Sequence, residues 1–174
     1  EDIGLLKNLK SLSVSENELM ELPESIGELT NLENLYLGYN SLSDLPESVG
    51  KLVNLQTVNI AKNQLLDLPL EIGNWQKVFK LSLHDNMLSE IPPTIGKMKS
   101  LVKLYLDNNE LTTIPATLSH LENLEILMVS GNRLGSIPSE FGNLKNLREL
   151  VLDANQLATL PDSLAECDNL KTIS

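Results

Sequence analysis

The sequence has few of the residues that disulfide-bonded, metal-binding or membrane proteins depend on. Only one cysteine and two histidines occur among 174 residues, and aromatic residues make up 3% of the chain. A single cysteine cannot form an intrachain disulfide, and no Asn-x-Ser/Thr acceptor occurs, so the composition favours a reducing, cytoplasmic compartment. No apolar run reaches the roughly 18 residues of a membrane-spanning helix, and the first residues lack the pattern of a signal peptide. We therefore expect no transmembrane segment.

Basic residues are also few. The chain has 13 Lys and Arg against 24 Asp and Glu, which gives a net charge of −11. A nucleic acid or an anionic membrane surface is bound through a stripe of Lys and Arg. We therefore expect no nucleic-acid partner.

Leucine, by contrast, recurs at a fixed spacing along the whole chain. Apolar and polar residues alternate in the middle of each unit, as in Leu104-Tyr105-Leu106, which is typical of a strand with one buried face. Seven frames of 23 residues follow without insertion or deletion: 9–31, 32–54, 55–77, 78–100, 101–123, 124–146 and 147–169. Partial frames occupy 1–8 and 170–174, so we expect a monomeric segment of a longer chain.

This periodicity predicts one α/β domain over 1–174, built as a solenoid of stacked strand-and-turn units. Strands pack ~4.8 Å apart whereas a helical turn is up to ~10 Å wide, so the stack should bend into a curved horseshoe segment. We expect a parallel β-sheet on the concave face and short helical or 3-10 turns on the convex face.

Several positions hold the same residue type in most frames, and we interpret them as structural. An asparagine carboxamide can pair with the backbone groups left free where a strand ends. A proline should begin each turn, and a glycine should allow close packing or a left-handed turn. Cys167, Trp75 and Phe141 fall on apolar positions and should be core residues. The asparagines are Asn17, Asn40, Asn63, Asn86, Asn109, Asn132 and Asn155.

The variable positions between these residues carry the functional information. All three tyrosines fall on positions predicted to face the concave side, and Tyr and Met are enriched at protein interfaces. A mixed patch centred on frames four to seven is the first candidate for a contact site; the alternative is a solvated sheet with scattered apolar groups. The predicted protein-binding residues are Tyr36, Tyr39, Lys80, His84, Lys103, Tyr105, Asp107, Met128 and Val151.

A second surface feature is a column of acidic residues at the sheet edge. Glu21, Asp44, Asp67 and Glu90 occupy one frame position, where later frames have Thr or Ser. This acidic edge could select a basic partner, although a solvated edge is the simpler interpretation.

We expect no catalysis, no metal and no cofactor from this segment. His84 with Asp85, Asp107 and Asp153 is the one cluster that could imitate a metal or acid-base site, and strands hold such residues for solubility far more often. Pairing of His84 with Ser82 or Ser130 would lack an oxyanion hole and a water-excluding pocket on an open sheet.

The full frame reads L-x-x-L-x-L-x-x-N-x-L-x-x-L-P-x-x-I-G-x-L-x-N-L, as in the segment from Leu22 to Leu32. It resembles the 23-residue class of intracellular leucine-rich repeats, the Ras-group repeats of Scribble, Erbin and Ras suppressor proteins. The resemblance implies binding of protein partners such as small GTPases, phosphatases or polarity proteins through the concave face. We therefore expect a protein-binding scaffold module in signal transduction. The alternative is the recognition arm of a larger enzyme, a kinase, cyclase or ubiquitin ligase, whose catalytic domain lies outside this segment. A third option, an extracellular recognition protein, would be favoured by cysteine-rich caps beyond either terminus.

Overall fold

The computed structural model describes residues 2–174 and consists of eight short strands alternating with eight 3-10 turns. The strands form one open sheet in the order β1 to β8, and all neighbouring pairs are parallel. They are β1 (Ser11–Ser13), β2 (Asn34–Tyr36), β3 (Thr57–Asn59), β4 (Lys80–Ser82), β5 (Lys103–Tyr105), β6 (Ile126–Met128), β7 (Glu149–Val151) and β8 (Thr172–Ile173). The 3-10 turns span Asp2–Leu5, Glu24–Glu28, Glu47–Lys51, Leu70–Asn74, Pro93–Lys97, Ala116–His120, Ser139–Asn143 and Asp162–Glu166. The solenoid predicted from the spacing is confirmed, with its sheet on one side and short 3-10 turns on the other.

The 23-residue repeat sets the register of the sheet. Each strand residue pairs with the residue one frame later, as Leu81 pairs with Leu104 and Leu104 with Leu127. The central residue of strands β2 to β7 points into the core, where these side chains are at most 1% exposed. The core is therefore a continuous ribbon between the sheet and the turns, and each frame extends the apolar surface of the one before it.

The repeated asparagines form a ladder at the ends of the strands, as predicted. Asn86 is typical: its Nδ2 donates to the carbonyl oxygens of Leu83 and Ile60 at 3.0 Å each, and its Oδ1 accepts from the Leu65 N–H at 3.0 Å. The side chain thus pairs with backbone groups of its own frame and of the preceding one. Since the side chain of Asn86 is 92% buried, these contacts satisfy polar groups that water does not reach.

Left-handed backbone occurs just before each ladder asparagine. The φ angles lie between 53° and 65° in all seven frames. One of these residues, Gly131, is a glycine, so six frames hold a side chain in a region that most residues avoid. The regular reversal at this point directs the asparagine side chain back into the stack. The residues are Glu16, Tyr39, Lys62, Asp85, Asn108, Gly131 and Ala154.

Close packing of successive turns explains the repeated glycine. A Cβ added at Gly96 would overlap with the carbonyl oxygen of Thr117 in the next turn, and the other turn glycines meet the following turn in the same way. None of the turn glycines has a positive φ, so of the two roles considered for them the structure supports packing. Each turn of frames one to seven follows a proline in extended backbone, for example Pro92 at φ −63° and ψ 139°, which confirms where the turns begin.

The three unusual core residues are buried as predicted. Trp75 is 1% exposed, and its indole Nε1 donates to the Val49 carbonyl at 2.9 Å, while Phe141 is fully buried. Cys167 is 5% exposed and its Sγ donates to the Phe141 carbonyl at 3.2 Å. Burial raises the pKa of the Cys167 thiol, which keeps it in the unreactive form.

A second series of amide hydrogen bonds joins the turn side of the stack. Five asparagines at the last position of a frame donate to a carbonyl 24 residues earlier, at 2.7 to 2.9 Å. These bonds tie each turn to the one before it, much as the buried ladder does at the strand ends. The five are Asn31, Asn54, Asn123, Asn146 and Asn169.

Candidate protein-binding surface

The outer face of the sheet, called the sheet face below, has no covering layer within residues 2–174. It carries the first and third residue of each strand, and these side chains are half-buried in strands β2, β3, β5, β6 and β7. A parallel sheet is usually covered on both sides. This face is therefore available to another molecule along its whole length.

An apolar row runs across three neighbouring strands of the sheet face. Tyr105 in β5 pairs in register with Met128 in β6, and Met128 pairs with Val151 in β7. All three side chains are half-buried. Ile126, also half-buried, lies at the other end of β6 and was not anticipated as a site residue. Together the apolar row and Ile126 form one apolar surface on β5 to β7.

Two lysines border this apolar surface and are called the lysine pair below. Lys80 and Lys103 are directly paired in register on β4 and β5, and both are half-buried. The Lys80 ammonium lies 5.8 Å from the centre of the Tyr105 ring. Phe79, which directly precedes β4 and is 45% exposed, adds an aromatic side chain that sequence analysis also missed.

Polar side chains lie just after the ends of β4 and β5, on the side of the apolar row opposite the lysine pair. The His84 Nδ1 lies 2.7 Å from Asp85 Oδ2, and Asn108 donates to Asp85 Oδ1 at 2.9 Å. Burial alone would raise the pKa of Asp85, but the contacts with His84 and Asn108 outweigh it and lower that pKa. Asp107 accepts a hydrogen bond from the Ser130 hydroxyl at 2.6 Å. These bonds hold both carboxylates in place.

Seven of the nine predicted site residues thus lie together on frames four to seven: Lys80, His84, Lys103, Tyr105, Asp107, Met128 and Val151. Tyr36 and Tyr39 lie apart from them. Tyr36 is in β2, and strands β3 and β4 separate it from Tyr105. Tyr39 lies in the left-handed position after β2, is 52% exposed, and has the Lys62 ammonium 4.6 Å from its ring centre. Contact with Tyr39 raises the pKa of Lys62.

The acidic edge is fully solvated. Glu21, Asp44, Asp67 and Glu90 are all exposed, and none of them forms an ion pair within the part of the chain that the structure describes. Asp44 accepts a hydrogen bond from its neighbour Ser43 at 2.8 Å. The acidic edge lies beyond the strand ends and is separate from the apolar row.

The arrangement around His84 places its ring against Asp85. No hydrogen bond joins His84 to Ser82 or Ser130 among residues 2–174, and the Ser130 hydroxyl is engaged by Asp107. Over the same residues, no group of three or more His, Cys, Asp or Glu side chains is arranged to hold a metal ion. No helix among them is long and apolar enough to cross a membrane.

The chain matches known repeat families over most of its length. The leucine rich repeat family covers residues 6–65 and 76–134, and a family of paired leucine rich repeats covers residues 122–166. A comparison with curated proteins finds no match.

Solved structures share the same fold. A leucine-rich repeat protein of Leptospira interrogans is 41% identical with a TM-score of 0.95, and the alignment covers 100% of this chain and 44% of that protein. The plant peptide hormone receptor RGFR1, in complex with RGF2, is 41% identical with a TM-score of 0.90, over 99% of this chain and 29% of the receptor. An internalin of Listeria monocytogenes is 25% identical with a TM-score of 0.86, over 99% of this chain and 49% of the internalin. This chain spans less than half the length of each of these proteins. By its repeated frame, its stacked parallel strands and its sequence match, the chain belongs to the leucine-rich repeat family.

Proposed function

We propose that this chain is a protein-binding module and that its partner docks on the sheet face over β4 to β7. The observation that carries the proposal is the apolar row beside the lysine pair, on a face with no covering layer in residues 2–174. The same strands carry His84 and Asp107 at their ends, so the surface combines apolar, cationic and hydrogen-bonding groups.

The physical chemistry of this surface suits a protein ligand. Tyr and Met are enriched at protein interfaces, and a central apolar contact surrounded by polar groups is the usual arrangement there. The hydrogen bonds of Asp85 and Asp107 to their neighbours fix the polar border before a partner arrives. A preorganised surface loses less side-chain entropy on binding, so more of the contact energy appears as affinity.

The relatives support capture of a protein or peptide. The plant receptor is a peptide hormone receptor in complex with RGF2, and its repeats align with 99% of this chain. The resemblance to Ras-group repeats favours an intracellular signalling scaffold with a small GTPase or phosphatase as the partner. A recognition arm of a larger enzyme would use the same surface.

The test compares substitutions on the two sides of the solenoid. A partner is first captured with the intact protein and identified, and its affinity is then measured by calorimetry for the parent chain and for Tyr105→Ala and Met128→Ala. We expect each substitution to weaken binding by about tenfold, which corresponds to about 1.4 kcal/mol. Because these side chains are half-buried on the sheet face and outside the core, the thermal unfolding temperature should stay nearly constant.

The matched control is Leu70→Ala, which removes an exposed apolar side chain from a 3-10 turn on the other side of the stack. We expect the control to bind like the parent chain. Unchanged binding by both sheet-face variants, or loss of binding in the control alone, would contradict the proposal.

A further inference from the structure

The lysine pair places two like charges side by side in the sheet, and the one contact that offsets this repulsion within residues 2–174 is that of the Lys80 ammonium with the Tyr105 ring. Lys80 and Lys103 are directly paired on strands about 4.8 Å apart, and like charges in that position destabilise a sheet. Neither ammonium forms an ion pair within residues 2–174. The chain has 24 acidic residues, yet none of those within residues 2–174 forms an ion pair with either lysine.

The neighbours of the lysine pair are uncharged. In register with it on the two outer sides stand Thr57 in β3 and Ile126 in β6. The residues that precede the two lysines are Phe79 and Val102, and Tyr105 lies beneath the Lys80 ammonium. Uncharged, partly buried surroundings of this kind strengthen the attraction between the two ammonium groups and an anion that reaches them.

Some other basic side chains beside the sheet do have an acidic partner. Lys10 pairs with Glu33 at 3.0 Å and Arg148 pairs with Glu125 at 3.4 Å, and both of these pairs lie at the edge of the same sheet. Lys62 and Lys171 also lack a carboxylate partner within residues 2–174, but neither of them faces a second unpaired lysine in register. The lysine pair lacks such a carboxylate and lies next to the apolar row.

We infer that the partner places an Asp or Glu side chain between Lys80 and Lys103 and an apolar side chain on the apolar row. The occupant is an extended segment of the partner protein that crosses the strands. This inference rests on the proposed function and adds the chemistry of the ligand. Charge complementarity identifies the acidic side chain, and the position of Tyr105, Met128 and Val151 identifies the apolar one.

The geometry of the sheet sets the spacing of the two ligand residues. The middle of the lysine pair lies one strand from the midpoint of Tyr105 and Met128 and two strands from the midpoint of Met128 and Val151. Since the apolar row stands two residues further along the strands, about 6.6 Å at ~3.3 Å per residue, the separations are about 8 and 12 Å at ~4.8 Å per strand. An extended segment advances ~3.3 Å per residue, so the apolar residue should follow or precede the acidic one by two to four positions.

The experiment selects ligands from a display library of random twelve-residue peptides. The library is panned on the parent chain, on the double variant Lys80→Glu/Lys103→Glu, and on the control Lys77→Glu/Lys97→Glu. The control makes the same change in net charge on the turn side, where both lysines are exposed. The parent and the control should enrich Asp or Glu with an apolar residue two to four positions away. The Lys80→Glu/Lys103→Glu variant should lose these peptides and enrich Lys or Arg at the acidic position.

Synthetic peptides with amidated C-termini complete the test. A peptide selected on the parent should bind at least about tenfold more weakly to the Lys80→Glu/Lys103→Glu variant, and replacing its acidic residue by Ala should cost a similar factor. Loss of binding on amidation alone would show that a terminal carboxylate is the ligand and would overturn the inference. Selection without acidic enrichment, with binding still lost in Tyr105→Ala, would also overturn it while leaving the proposed function intact. Equal binding by the parent, Tyr105→Ala and Lys80→Glu/Lys103→Glu would refute both.

Discussion

The asparagine ladder makes a quantitative prediction for the variant Asn86→Leu. Leucine has as many side-chain heavy atoms as asparagine but two methyl groups in place of the amide, so it removes every hydrogen bond of the side chain without leaving a large cavity. Asn86 lies in a central frame, with a ladder asparagine on each side of it, Asn63 and Asn109. The substitution therefore isolates the polar contribution of one ladder position.

The size of the stability loss depends on which backbone groups are left without a hydrogen-bond partner. The Ile60 carbonyl keeps Asn63 as a donor at 3.1 Å, and the Leu83 carbonyl keeps Asn109 at 3.1 Å. The Leu65 N–H donates to Asn86 Oδ1 alone among the described residues. One orphaned buried N–H costs about 1 to 3 kcal/mol, and two lost hydrogen bonds to shared carbonyls add about 0.5 kcal/mol each. We expect Asn86→Leu to lower the free energy of unfolding by about 2 to 4 kcal/mol.

The matched control is Asn17→Leu in the first frame. Asn17 is exposed and donates to the Val14 and Ser15 carbonyls at 3.1 and 3.0 Å. No backbone N–H in residues 2–174 donates to its Oδ1. Because water can replace its contacts, we expect Asn17→Leu to cost less than about 1 kcal/mol.

Equilibrium unfolding in urea, followed by circular dichroism, gives the two free energies, and native-state hydrogen exchange reports on the Leu65 amide directly. Since a solenoid can unfold from one part at a time, the exchange measurement identifies where protection is lost. An equal loss of stability in Asn86→Leu and Asn17→Leu would refute the reasoning. So would a Leu65 amide that exchanges as slowly in Asn86→Leu as in the parent chain.

Two further predictions concern the turns and the thiol. Gly96→Ala should destabilise the fold by about 1 to 3 kcal/mol because the new Cβ meets the Thr117 carbonyl, whereas Gly135→Ala, with no atom within 4 Å of the added Cβ, should be neutral or slightly stabilising in the same urea titration. Equal effects of the two changes would contradict the packing role of the turn glycines. The Cys167 thiol, whose pKa is raised by burial, should react with iodoacetamide at pH 8 markedly more slowly in the native protein than in urea. Equal rates in the two conditions would mean that the thiol is accessible in the folded chain.

The scaffold could be predicted because the 23-residue frame repeats without error. An asparagine at the same position of all seven frames indicates a structural role. The hydrogen bonds of Asn86 show that this role is to pair with backbone groups at the strand ends. The left-handed position beside these asparagines could not be predicted, since it holds Glu, Tyr, Lys, Asp, Asn, Gly and Ala in turn. Stacking of the frames imposes that conformation regardless of the local side chain. The sequence was compatible with two roles for the turn glycines, close packing or a left-handed turn. The contacts between successive turns show that the role is close packing.

The candidate site was predictable in outline only. Frame arithmetic places Tyr105, Met128 and Val151 in one row, and the register of the sheet confirms that placement. The same arithmetic separates Tyr36 from Tyr105 by three frames, so the tyrosines do not form one cluster. Ile126 occupies the frame position of Lys80 and Lys103, so the same arithmetic could have found it, and the exposed Phe79 stands directly before that position. The Ser130 to Asp107 hydrogen bond depends on side-chain rotamers that the spacing does not specify.

If ligands bind on the sheet face over β4 to β7, this face should be protected when the partner is bound. Hydrogen–deuterium exchange of the full chain, measured with and without its captured partner, tests this prediction most directly because every strand and turn is read in one experiment. We expect slower exchange in the peptides that contain Lys80, Lys103 and Met128, and no change in the 3-10 turns Leu70–Asn74 and Pro93–Lys97. Protection confined to those turns, with the strands exchanging as in the free chain, would contradict this prediction.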